Sequence, residues 1–136
     1  MSARRLAALL ALPCSLLACE GGAEAAARKS AALVARAIEV LRNAPNDAKA
    51  GRLTELRALD CSGPDVCATR DVCVAAYAKH VDALALIQAA KQRLSEGKTP
   101  QANRFLMSAQ TALGEASAAV SGCTEREGLL RHRYKL

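Results

Sequence analysis

The chain contains no tryptophan, two tyrosines and one phenylalanine among its 136 residues. Stacking platforms for nucleic-acid bases or sugar rings therefore lack material. It has only two histidines, and one of them, His132, lies in a basic run near the C-terminus. Nucleophilic catalysis needs a nucleophile, a base and an orienting group within hydrogen-bond reach. No glycine-rich phosphate loop, nucleophile elbow or His-Glu-x-x-His stretch occurs, and the sequence reads as that of a non-enzyme. Runs of β-branched residues are scarce, which disfavours a sheet. The apolar run over 6–18 is broken by Pro13 and falls short of the roughly 20 residues a bilayer span requires. What the chain has in quantity is alanine and leucine, and both favour helix.

That apolar run follows Arg4 and Arg5 and ends in Leu16-Leu17-Ala18-Cys19. A positive head followed by a short apolar stretch has the layout of an export signal. The Leu-Leu-Ala-Cys tetrapeptide resembles the lipobox of bacterial lipoproteins, a resemblance confined to residues 1–20. It implies that the Cys19 thiol receives a diacylglyceryl group, that the signal is cut before Cys19, and that the new amine is acylated. Each buried methylene contributes about 0.8 kcal/mol, so two or more acyl chains hold firmly where one binds marginally. Glu20, rather than Asp, follows the cysteine. By analogy with Gram-negative sorting, this points to the outer membrane, facing the periplasm. The competing reading is an ordinary secreted protein cut after Ala23-Glu24-Ala25.

The expected organisation is a cleaved signal over 1–18, a lipidated cysteine with a short tether over 19–23, a helical domain over 24–123 and a basic tail over 124–136. Loss of Arg4 and Arg5 lowers the formal charge of +6 by two. Export argues against a nucleic-acid partner. The residual positive charge suits anionic envelope polymers, and a solvated helical surface explains it equally well.

Four helices are expected, making an all-α, small antiparallel bundle of three long helices and one short one. The first, over 24–43, carries Ala27, Ala31, Val34, Ala37, Ile38 and Leu41 at the three- and four-residue spacing of one face. Ala44 precedes Pro45 and leaves the α region there. A short helix over 47–59 has Leu53, Leu56 and Leu59 as its inner edge. The third begins at Pro64 or Asp65 and runs to 96, before Gly97-Lys98-Thr99-Pro100 breaks the chain. The fourth, over 100–122, has a near-heptad seam of Ala102, Leu106, Ala109, Leu113, Ala116, Val120 and Cys123. The row read as its partner on the third helix is Cys73, Tyr77, His80, Leu84, Ile87, Lys91 and Leu94. The aliphatic stem of Lys91 is taken to lie along the seam.

Folding the fourth helix back about the Lys98–Thr99 turn places Cys73 within one position of Cys123, with both on inner stripes. A Cys73–Cys123 disulfide is expected on that ground, together with Cys61–Cys67 around Gly63-Pro64. The alternative is Cys67–Cys123 with Cys61–Cys73; four cysteines allow three pairings. Cys14 leaves with the signal and Cys19 is lipidated, so no thiol is left over.

Other candidate sites are sparser. Cys61, Cys67 and Cys73 lack the two-to-four-residue gap of a zinc ligand pair, and no Cys-x-x-Cys-His is present. Neither a metal nor any other cofactor is expected. His80, opposite Ala116, reads as a boundary histidine bonded locally or as a ligand contact, with Tyr77 one turn earlier packing beside it. Arg131, Arg133 and Lys135 in the tail could touch a partner. Carboxylates are expected on outward faces, for instance Glu55 with Arg52 and Asp82 with Lys79. The leading functional expectation is a lipid-anchored envelope protein, a non-catalytic structural or adaptor module for a protein or cell-wall polymer. The second is a small-ligand carrier with a cavity near His80; the third is a Cys/His metal protein or enzyme. An adaptor should expose an apolar or charged patch, whereas a carrier needs an enclosed cavity of about 300 Å³ or more.

Overall fold

The computed structural model describes residues 18–136, with side chains from Gly21 onward. Residues 1–17 of the signal expected over 1–18, with Cys14, and the Cys19 side chain lie outside the described residues. Four helices follow in order, α1 (Ala18–Asn43), α2 (Lys49–Ala58), α3 (Pro64–Ser95) and α4 (Thr99–Tyr134). The described residues contain no strand. The fold is an all-α bundle stapled by disulfides Cys61–Cys67 and Cys73–Cys123. This is the pairing that helix length and helix face favoured.

The α3–α4 hairpin turns in a Schellman motif. Gly97 adopts φ +73°, its N–H donates to the Leu94 carbonyl, and the Lys98 N–H donates to the Arg93 carbonyl. A left-handed residue at this position favours glycine. The second positive-φ glycine, Gly63 (φ +94°), starts α3 where a Cβ would come within 3.2 Å of Ala27 Cβ. A side chain there would be strained at that φ and would crowd Ala27 of α1.

Carrying the Cys73–Cys123 register along the hairpin gives a ladder in which small faces large. Ala76, Ala83 and Ala90 stand opposite Val120, Leu113 and Leu106. In the other direction Ala116, Ala109 and Ala102 stand opposite His80, Ile87 and Leu94. All six alanines are buried, and alanine at every seventh position lets the two backbones approach closely. The α3 row is therefore shifted by one from the expected Tyr77, Leu84 and Lys91. Lys91 is exposed and Leu84 half-buried. A seam this narrow selects the methyl side chains and turns the larger neighbours outward.

Two boundaries also differ from expectation. The 19–23 stretch is helical, because the alanine-rich turns that follow carry the helix back through Gly21 and Gly22 at about 1 kcal/mol per glycine. The basic tail expected over 124–136 is instead the last three turns of α4. Leu130 and Tyr134 continue the heptad rows of Ala102 and Leu106, and both are buried. Glu127 interrupts the apolar stripe of those turns.

α1 lies parallel to α3 and antiparallel to α4. Ala27 approaches Gly63, Arg131 donates to the Ala35 carbonyl, and Arg42 pairs with Glu127. Ser30 Oγ accepts the Ser62 N–H, which ties the small Cys61–Cys67 loop to α1. The central core joins Val34, Ile38 and Leu41 with Leu53, Leu56, Val66, Cys73, Tyr77, Cys123, Leu130 and Tyr134. Between Val81 and Ala119 no residue belongs to that core. There α3 and α4 continue as a two-helix arm of about 25 Å, at ~1.5 Å per residue. The start of α1 and the end of α4 share one pole, and the Gly97 turn forms the other. By length and composition α3 could also cross a membrane, with mean hydropathy 1.3 over its most apolar stretch. Lys79 and Asp82 interrupt that stretch.

Replacing both Cys73 and Cys123 with alanine should lower unfolding free energy by about 4 kcal/mol in the chain-entropy model, given the 50-residue separation. Removing Cys61–Cys67, with a separation of 6, should cost about 2 kcal/mol. Urea unfolding of the two double variants checks the order.

Candidate functional site

A cleft of about 440 Å³ opens where the base of the bundle gives way to the arm. α1 supplies Arg42 from its last turn, the following loop Asn46, and α2 its first residue, Lys49. α3 supplies Tyr77 and His80, one turn apart. α4 closes the far wall with Leu113, Ser117, Val120 and Ser121. Two cations, an imidazole and four neutral polar side chains thus share a wall containing no carboxylate.

Each polar group is held by local structure. Lys49 is 7% exposed, and its Nζ donates to the Leu41 and Arg42 carbonyls at 3.2 and 3.0 Å. A cation at the carbonyl end of a helix is favourably placed in the helix dipole. Among the described residues it makes no ion pair, and burial holds its pKa below the ordinary 10.5. Arg42 is anchored by Glu127, which is 3% exposed and also accepts from Arg131 Nε at 2.9 Å. Burial works against the Arg42 charge, but the hydrogen bond and attraction of Glu127 outweigh it and raise its pKa. The Tyr77 ring is 3% exposed and meets His80 edge-on, with centroids 6.5 Å apart. Burial, and then the Lys49 charge, hold the His80 pKa below its ordinary 6.5.

The sequence-derived candidates separate in this structure. His80 and Tyr77 come together in the cleft. The local hydrogen bond expected for His80 is missing at Nε2, and the buried Tyr77 hydroxyl lies beside the Arg42 guanidinium, whose charge it helps to stabilise. The expected tail contacts are largely committed elsewhere. Arg131 is tied to Glu127, Glu39 and the Ala35 carbonyl. Arg133 reaches Asp65 at 3.1 Å and covers the Tyr134 ring. Lys135 ends α4 in a left-handed conformation and is exposed. Glu55 does pair with Arg52, whereas Lys79 is nearest Glu115, across the hairpin, rather than Asp82. Among the described residues no three His, Cys, Asp or Glu side chains converge.

Arg42, Lys49 and Glu127 did not stand out in the sequence. The signal for Glu127 was its place in the heptad row Leu106, Leu113, Val120, Glu127, Tyr134. A carboxylate in an apolar row implies an internal cation. Nothing comparable marks Lys49, whose burial depends on how α2 docks.

Glu127→Ala should cost about 2–3 kcal/mol. Stranding the partner of a wholly buried pair costs about 3–5 kcal/mol, but both guanidinium groups here stay more than a third exposed. Arg133→Ala, at an exposed pair, should cost under about 1 kcal/mol. The pH dependence follows from His80. Its folded pKa lies below its unfolded one, so the unfolded chain binds the proton more readily. Stability should therefore decline as pH falls below about 6.5 and level off once the cleft imidazole itself protonates. His80→Gln should flatten that part of a stability-versus-pH curve.

No protein-family model, curated protein or solved structure matches the chain.

Proposed function

We propose that the protein is a lipid-anchored component of the bacterial envelope, a non-catalytic structural or adaptor module that binds a protein or cell-wall partner through its two-helix arm. The reading is supported first by the signal-like N-terminus and the Leu16-Leu17-Ala18-Cys19 motif. Oxidised Cys61–Cys67 and Cys73–Cys123 are compatible with export.

The observation that carries the adaptor role is the polarity of the bundle. Cys19 belongs to the first turn of α1, at one pole. The Gly97 turn lies about 60 Å away, taking α3 and the part of α1 that precedes it at ~1.5 Å per residue. An anchor at Cys19 would hold the base near the membrane and send the arm outward. The arm exposes Leu94, Leu106 and Met107, the last 71% exposed. It also has a shallow hollow of about 340 Å³ lined by Arg93, Gln101, Arg104, Phe105 and Ser108. Apolar side chains rimmed by arginine are the composition of a docking surface. None of them belongs to the central core.

Cys19→Ser should move the protein from the membrane to the soluble fraction and remove a lipid mass shift from the product of its native host. A photo-crosslinking residue at Met107 should trap one discrete partner, whereas the same residue at Asp71, at the base, should not. Equal capture from both positions counts against the arm as the contact surface.

A further inference from the structure

Buried polar side-chain atoms without a hydrogen-bond partner concentrate in one place. Among the described residues they are Arg42 Nε, Tyr77 Oη, His80 Nε2 and Asp65 Oδ2. The Asp65 oxygen lies 3.1 Å from Arg133, so it is compensated. The other three belong to residues lining the cleft between the end of α1 and the α3–α4 pair; the Tyr77 hydroxyl and the Arg42 guanidinium lie beside one another, and His80 Nε2 has no partner. An unpaired buried polar group costs about 1–3 kcal/mol, and folded proteins seldom leave several together.

Charge points the same way. Lys49 is a nine-tenths-buried cation whose partners are the Leu41 and Arg42 carbonyls, with no carboxylate. Arg42 is positioned from behind by Glu127 while its Nε remains unused. Buried charges are normally paired, and here the missing counter-charge would lie on the cleft side. Ser117 adds a hydroxyl on the facing wall, where Ser121 Oγ donates to the Ser117 carbonyl, and Leu113 and Val120 add an apolar surface. The volume of about 440 Å³ falls in the range of small-molecule sites. The cleft is open on one side, unlike the enclosed cavity expected of a carrier.

We infer that this cleft binds the oxyanion group of a small amphipathic ligand, a phosphate or carboxylate held by Arg42, Lys49, Tyr77 and His80, with the apolar part of the ligand against Leu113 and Val120. Guanidinium and ammonium donors suit either anion, and the Tyr77 hydroxyl supplies a neutral donor fixed by its buried ring. The site stands apart from the arm, so it can hold whether or not the arm docks a partner.

The test uses the full chain in non-ionic detergent, titrated with inorganic phosphate and separately with succinate, each against chloride at matched ionic strength. The His80 imidazole resonances and the melting temperature are followed. Binding should shift the His80 signals saturably, raise the His80 titration midpoint and raise Tm. The stronger of the two probes identifies the anion class. Tyr77→Phe, which keeps the ring in the core, should weaken binding about tenfold. Ser117→Ala, on the exposed wall, should weaken it a few-fold. Lys49→Met should abolish the effect if the variant folds. Responses no larger than those to chloride would mean the cleft holds only water, and would overturn the inference. Unchanged affinity in both Tyr77→Phe and Ser117→Ala would also overturn it, by placing the anion elsewhere.

Discussion

The register between α3 and α4 is the constraint on which the rest depends. Heptad alanines on both helices draw the backbones together, and the Cys73–Cys123 bridge, with Cα atoms 4.8 Å apart, fixes which alanine faces which large side chain. A shift of one residue would place Lys91 in the seam and turn Ala90 out. A slide of a full heptad would restore the pattern of sizes, but it would break the sulfur bridge, the Gly97 turn and the Arg133–Asp65 pair. Packing sets the spacing, and these links set the alignment.

That alignment also assembles the cleft. Tyr77 and His80 come from α3, Ser117 and Val120 from α4, and they meet because the bridge lies one to two turns below them. Arg42 and Lys49 arrive by a different route. α1 ends against Glu127, and the first residue of α2 returns to cap α1's last carbonyls. Glu127 therefore links the two halves. It is buried in the α4 stripe, it orients Arg42 toward the cleft, and it holds Arg131 against α1.

Much of the architecture was legible from the residues. Pro45, Gly63-Pro64 and Gly97 mark the breaks between helices, because each forbids or redirects the α conformation locally. Helix length and face together identified the Cys73–Cys123 pair. The alanine row was harder to see. Tyr77, Leu84 and Lys91 are more conspicuous than Ala76, Ala83 and Ala90, yet close approach of two helices rewards the smaller set. The last turns of α4 were hidden for a related reason, since Glu127 and the arginines read as solvated until α1 supplied their partners. The cleft was half visible, through His80 and Tyr77. Its cations were not, because burial of Lys49 depends on how a ten-residue helix docks, and no periodicity encodes that.

The parallel run of α1 and α3 has one further geometric consequence. It brings the beginning of the first helix and residue Leu136 to the same end of the rod, with the Gly97 bend at the opposite extreme. A label joined after Leu136 would sit in the crowded zone beside the start of α1. A label inserted between Gly97 and Lys98 would stand clear of it, so the two fusions would report on opposite ends of a single polypeptide.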